Sequence, residues 1–198
     1  MPRIILASQS PRRKQLLEQI GITKFDILVP QAEEDYDPSL SPEEIVSSIC
    51  RKKAEAARAL AGDPSALIIA ADTMVFLDGL RLGKPQDQVD AFTMLSVLSG
   101  RTHHVRTGVT LCQGGRIETR AETTAVTFRP LEQDEIWGYI RSGEPMDKAG
   151  AYGAQGKAAL FVSRIEGDYF NVMGLPLYLL GNMLEDFGVH PFSLEEDL

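Results

Sequence analysis

Two helix starts in this chain share one frame and carry opposite charge. Ser41-Pro42-Glu43-Glu44 puts a serine at the N-cap, a proline at the first helical position and a glutamate at the third, so this helix satisfies its own first-turn donors. Ser10-Pro11-Arg12-Arg13 repeats the frame with two arginines. Arginines in a first turn face the positive end of the helix dipole, which disfavours them. An anion at that end resolves the conflict. Free backbone N–H groups, the hydroxyls of Ser8 and Ser10 and two guanidinium forks then converge on a phosphate. The alternative is a solvated basic turn. The helix follows a strand directly, where ligands of α/β proteins gather, and this favours the phosphate. If Arg13 serves only that anion, losing it without ligand is neutral or slightly stabilising.

Other residues suit acid–base or metal chemistry. Asp72 stands in Ile68-Ile69-Ala70-Ala71-Asp72-Thr73, where it ends a strand or interrupts a buried one. A buried carboxylate needs a cation, a metal or donors to compensate it; the alternative is an ordinary Asp-Thr turn or cap. Glu33 offers a second carboxylate from an acidic loop. Lys53 falls on the apolar stripe of a long helix, read as Ile45, Ile49, Ala56 and Leu60. A lysine there snorkels past the core or points into a cleft, and spacing alone favours snorkelling. Lys52 is the neighbouring candidate. Gly83-Lys84-Pro85 presents a lysine on a stiff loop, and the glycine-punctuated stretch from Asp147 to Gly156 carries Lys148 and Gln155.

Missing fingerprints narrow the field. There is no G-x-x-x-x-G-K-[ST] loop, no G-x-G-x-x-G after a strand and no G-x-S-x-G elbow. His103 and His104 are adjacent and His190 lies far downstream, so nothing suggests a histidine-ligated metal. The net charge is 20 minus 28, or −8. A wide nucleic-acid face is usually basic, so no stable nucleic-acid partner is expected. Cys50 and Cys112 form no disulfide framework. No apolar run approaches membrane-spanning length, and the apolar run at the start is too short for a signal-peptide core. The cytoplasm is the expected compartment.

The elements that must position these residues are legible from periodicity and turn signals. Strands are expected over 3–7, 25–29, 66–76, 105–112, 117–128 and 158–165. Helices are expected over 10–20, 41–61, 89–98, 131–141 and 177–187, with 79–87 a loop and the tail after Gly188 loose. Strands and helices mix without strict βαβ alternation. The expectation is one α/β domain over residues 1–198: a mixed, twisted central sheet with helices around it, elongated, with a cleft between two lobes.

Taken in order, these segments resemble the Maf family of nucleoside triphosphate pyrophosphatases. The resemblance rests on Ser8-Gln9-Ser10-Pro11-Arg12-Arg13, the Glu33 loop, Lys53, Ala71-Asp72-Thr73, Gly83-Lys84-Pro85, Ser99 to His103, Gly143-Glu144-Pro145, Asp147 to Gly156 and Asn171 to Pro176. It spans nearly the whole chain. It implies an ITPase-like fold and hydrolysis of a nucleoside triphosphate to monophosphate and pyrophosphate with Mg²⁺ or Mn²⁺. A homodimer in the cytoplasm is also implied. The stretch Asp147-Lys148-Ala149-Gly150-Ala151-Tyr152-Gly153-Ala154-Gln155 looks like the branch acting on dTTP and UTP. Ala154 departs from it, where a larger aliphatic residue is usual. By this resemblance Asp72 accepts a proton, with Glu33 helping to hold the metal. Lys53 and Lys84 join the catalytic set, and Ser8, Ser10, Arg12, Arg13, Thr73, Lys148 and Gln155 bind substrate, with Arg12, Thr73 and Gln155 linked to substrate choice. A house-cleaning role against non-standard nucleotides is implied. The alternative is a nucleotide-binding regulator of cell division or septum formation without significant turnover.

Overall fold

The computed structural model describes residues 2–31, 35–37 and 39–192. A short strand β1 (Ile4–Leu6) leads into helix α1 (Pro11–Gln19), strand β2 (Asp26–Ile27) and the long helix α2 (Pro42–Ala61). Next come β3 (Leu67–Leu77), β4 (Leu80–Leu82) and α3 (Gln88–Leu98). Two long strands, β5 (Thr102–Gln113) and β6 (Arg116–Phe128), are joined at Gly114-Gly115. Helix α4 (Gln133–Ile140), three short 3-10 turns, β7 (Val162–Glu166), α5 (Tyr169–Met173) and α6 (Leu177–Asp186) complete the order. The sheet runs β2-β1-β3-β5-β6-β7, with β4 pairing β3. β1 is parallel to β2 and β3, whereas β4 and β7 pair antiparallel, so the sheet is mixed as expected.

Local chemistry explains the best-read element. Ser41 accepts from the Glu44 N–H while the Glu44 side chain accepts from the Ser41 N–H, closing the capping box of α2. Gly62 ends the helix in the left-handed region at φ +62°. Two expectations need correction. The loop over 79–87 contains β4, because Asp78-Gly79 forms a turn with positive φ at both residues and folds the chain back on β3. The strand expected over 158–165 is a 3-10 turn from Lys157 to Leu160 followed by β7. An apolar run of that length does not distinguish a turn of helix from a strand.

The chain forms two compact units. One comprises residues 1–72, 107–122 and 174–198, and the other residues 73–106 and 123–173. The first has a core of small and aliphatic side chains, among them Ile5, Ala7, Cys50, Ala54, Ala57, Ile68 and Ala70. The second is aromatic at its centre, with Phe128, Tyr139, Tyr152 and Phe161 packed among Leu95, Leu98 and Ile136.

His103 is fully buried in the second core. Its Nε2 lies 2.7 Å from the Tyr152 hydroxyl, and its ring packs edge-on against Phe128 and Tyr152. Burial, reinforced by the charge of His104, pushes the imidazole pKa down to about 4. The unfolded chain therefore takes up a proton near pH 6.5 that the folded chain refuses until about pH 4. This group's contribution is full above pH 6.5 and is lost as pH falls toward 4, by roughly 3 kcal/mol in all. Thermal melts between pH 7 and pH 4.5 should show a falling Tm. His103→Gln, which keeps a hydrogen-bonding tip, should flatten that dependence; an equal slope in both proteins would assign it to other groups.

Candidate active site

Several chemistry-bearing residues of the first unit lie where the parallel pairing of β1 with β3 ends. β1 pairs with β3 in the register Leu6 to Ile69, and the Ala7 N–H donates to the Ile69 carbonyl at 2.8 Å. Ser8 follows Leu6 by two residues and Asp72 follows Ile69 by three, so both lie past the last paired positions, on the same side. Asp72 does not end its strand. It sits within β3 and is 7% exposed, the buried interruption rather than a turn or cap.

Lys53 compensates this carboxylate. Its Nζ donates to Asp72 Oδ1 at 2.5 Å, with side chains only 19% and 10% exposed, which strengthens the attraction relative to a surface pair. This overturns the snorkelling expected from spacing. The buried face of α2 consists of Ile45, Val46, Ile49, Cys50, Ala54 and Ala57, while Leu60 is 63% exposed. The true stripe is rotated from the expected one, so Lys53 flanks the core and its ammonium meets a carboxylate instead of water. Lys52 points elsewhere, donating to the Asp35 carbonyl at 2.6 Å.

α2 packs this closely because residue 108 has no side chain. A Cβ at Gly108 would stand 2.7 Å from the Val46 carbonyl oxygen and 3.2 Å from Cys50 Cβ. Lys53 lies two turns beyond Val46 on the same helix. Gly108→Ala should cost about 1–3 kcal/mol through overpacking and also reduce turnover by shifting Lys53 from Asp72. Melting temperature and nucleotide hydrolysis measured together check this. A variant unchanged in both would remove the close approach as a determinant.

Cys50 marks how near the charged groups are to one another. Its buried thiol donates to the Ala70 carbonyl at 3.2 Å, and burial pushes its pKa up to about 12. It feels the charges of Asp72, Arg13 and Lys53. A thiol so buried and so rarely ionised is a packing group, not a nucleophile.

At α1, Ser10 makes no side-chain cap bond and no acidic residue stands in the first turn. Ser8 Oγ accepts from the Ser10 N–H and from an Arg13 Nη, each at 3.2 Å. Arg13 Nε donates to the Gly174 carbonyl at 2.8 Å. Arg13 thus ties α1 to the Ser8 segment and to Gly174. Contrary to the reading of Arg13 as an anion ligand only, Arg13→Ala should lower the ligand-free Tm, by about 1–3 kcal/mol of stability. An unchanged or raised Tm would restore the earlier expectation. Arg12 is half-buried on the same turn. Glu33 lies outside the described residues.

In the second unit, Thr73 follows Asp72 along β3 and is half-buried. Lys84 is exposed between β4 and α3. The Gly150 N–H donates to the Gly83 carbonyl at 2.9 Å, which joins the Lys84 loop to the glycine-punctuated loop. Lys148 Nζ donates to the Glu144 carbonyl and to Asp147 Oδ1, each at 2.6 Å. Gln155 is exposed at the tip of that loop. Sequence reading gave no role to Tyr139 or Glu144, which bond to this loop, nor to Gly108. Glu144 belonged to a quoted motif, but Tyr139 reads as one more apolar position of α4, and no local signal reveals its partners.

Among the described residues no three His, Cys, Asp or Glu side chains converge as a metal site. A magnesium-type ion needs no such cage, because one or two carboxylates suffice when phosphates and water complete its shell. Asp72, a hard oxygen donor set within β3 just past its pairing with β1, fits an ion of that kind.

Residues 3–187 match the family described as Maf-like protein. The chain belongs to the Maf family. This Maf chain is 50% identical over 192 residues to the dTTP/UTP pyrophosphatase of Bacillus pumilus, covering 97% of itself and 100% of that protein. It is 47% identical over 193 residues to the dTTP/UTP pyrophosphatase of Symbiobacterium thermophilum, covering 98% of each. Among solved structures, the Staphylococcus aureus Ham1 protein aligns with a TM-score of 0.42 at 14% identity, over 64% of this chain and 71% of that one.

Proposed function

We infer that this chain hydrolyses dTTP and UTP to the nucleoside monophosphate and pyrophosphate. The buried Lys53–Asp72 pair supports the hydrolytic part. The two full-length relatives, both named dTTP/UTP pyrophosphatase, support the substrate.

In this reading Asp72 accepts a proton from the water that cleaves the α–β phosphate linkage. Lys53, donating to Asp72 Oδ1, holds the carboxylate in place. Phosphoryl transfer depends mainly on positioning and charge neutralisation. Ser8, Ser10, Arg12, Arg13, Lys84 and Lys148 supply donors and positive charge for the triphosphate. Asp72 and Glu33 would hold Mg²⁺ or Mn²⁺, which when bound neutralises and orients the phosphates. Thr73, Arg12 and Gln155 select the nucleotide. The assembly is a homodimer in the cytoplasm, and its role is to clear non-standard pyrimidine nucleotides. Among the described residues no helix is long and apolar enough to cross a membrane.

A panel of nucleoside triphosphates with Mg²⁺ or Mn²⁺, read as pyrophosphate released, tests the proposal. UTP and dTTP should be the best substrates. Binding of UTP without pyrophosphate release would identify a nucleotide-binding regulator instead.

A further inference from the structure

The loop that carries Gln155 is held from beneath by two side chains so far without a role. The Tyr139 hydroxyl accepts from the Gly153 N–H at 3.2 Å and donates to Glu144 Oε1 at 3.0 Å. Glu144 Oε2 accepts from the Lys157 N–H at 3.1 Å. The Gly156 N–H closes a turn on the Gly153 carbonyl at 3.0 Å. One tyrosine and one carboxylate therefore grip the backbone on both sides of Gln155. The grip requires Gly156, and Gly153 leaves room for Lys148 beside it. A Cβ at Gly156 would run into the Glu144 carboxylate, and one at Gly153 would stand 2.7 Å from Lys148 Cε. Lys148 in turn is bonded to the Glu144 carbonyl. Upstream, Ala151 is held at φ +59°, a left-handed conformation that a residue with a Cβ keeps only where its surroundings fix it.

Stability alone does not explain this investment of polar atoms. Gln155 is exposed and adds nothing to the core, yet the backbone on either side of it is pinned. We propose that Tyr139 and Glu144 are positioning residues for nucleobase selection: they clamp the segment from Gly153 to Lys157 and so fix the direction in which Gln155 projects. The proposal rests on the reading of Gln155 as the base-contacting residue. A pinned loop loses no ordering entropy when the nucleotide binds. It also discriminates better. Uracil and cytosine differ at N3 and at the 4-position; a flipped carboxamide suits cytosine only in part from a backbone placed for uracil, whereas a wandering backbone lets the flipped amide move to meet cytosine as well.

The decisive variant is Tyr139→Phe. It keeps the ring, which packs edge-on against Phe161 with centroids 5.2 Å apart, and removes only the oxygen shared by Gly153 and Glu144. Glu144→Gln is the conservative partner, because its carbonyl can still accept from Lys157 while its NH₂ faces the Tyr139 oxygen. Two quantities are read: amide hydrogen exchange over residues 153–157 in the ligand-free chain, and the ratio of kcat/KM for UTP to that for CTP. In Tyr139→Phe exchange should quicken and the ratio should fall by about five- to tenfold, carried by KM more than by kcat. Glu144→Gln should fall between wild type and Tyr139→Phe. Unchanged exchange would overturn the clamp. Faster exchange with an unchanged ratio would make it a structural feature only. Gln155→Ala, run alongside, separates the two readings. If it leaves the ratio unchanged, Gln155 does not read the base. If it collapses the ratio and Tyr139→Phe does not, the positioning role alone is wrong.

Discussion

Asp72→Asn is expected to lower the rate of pyrophosphate release from UTP by about 10²–10⁴-fold, the range that a positioned general base contributes. Asparagine matches the carboxylate in shape but cannot take the proton of the attacking water, and it is a poorer ligand for a divalent ion. The same change should cost some stability. Lys53 Nζ donates to Asp72 Oδ1 at 2.5 Å in a site where both side chains are mostly shielded from water. Removing one member of a fully buried ion pair costs about 3–5 kcal/mol. The cost here should be smaller, because the asparagine oxygen still accepts from Lys53 and neither side chain is wholly sealed. The assay therefore belongs well below the variant's own melting temperature, with circular dichroism confirming a native fold. A folded Asp72→Asn protein with near wild-type turnover would remove Asp72 from the centre of the chemistry.

Gln155→Glu should cut kcat/KM for UTP and dTTP by about ten- to a hundredfold, while GTP, already poor, changes little. A carboxamide carries a donor and an acceptor side by side. Uracil and thymine present the complement, an N–H at N3 flanked by carbonyl oxygens. Glutamate keeps the volume, loses the donor and turns a carboxylate toward the 4-carbonyl. Cytosine has a donor at that position, so the variant should retain CTP better than UTP, and wild-type discrimination against CTP should be incomplete because the amide can flip. Gln155 stands exposed and makes no core contact, so its replacement should leave the melting temperature within about 0.5 kcal/mol of wild type in stability terms. Measuring kcat/KM for UTP, dTTP, CTP and GTP on both proteins decides the matter. An unchanged order of preference would take base reading away from Gln155.

The sequence by itself determined the elements whose signals are local. The capping box at Ser41, the left-handed glycine at 62 and the Gly114-Gly115 turn between the long strands each depend on residues a few positions apart, and each element formed where it was expected. The ordered motifs also pointed to the family that residues 3–187 match. Asp72 could be picked out because a carboxylate inside an apolar strand is costly unless something compensates it. What compensates it was decided by tertiary structure. Lys53 is nineteen positions away, and whether it snorkels or pairs depends on how α2 is rotated over the sheet. The close approach of α2 to the sheet needs the absent side chain of Gly108, more than fifty residues further on. Arg13 gained a structural tie beside its expected role as a ligand-directed cation for the same reason, because its partner Gly174 is 161 positions away. The hold of Tyr139 and Glu144 on the Gln155 loop leaves no trace in periodicity either. A tyrosine on the buried face of α4 satisfies the helical pattern wherever its hydroxyl points. Local pattern selects the elements, and the close approaches between them, which no local pattern encodes, choose the partners of each polar atom.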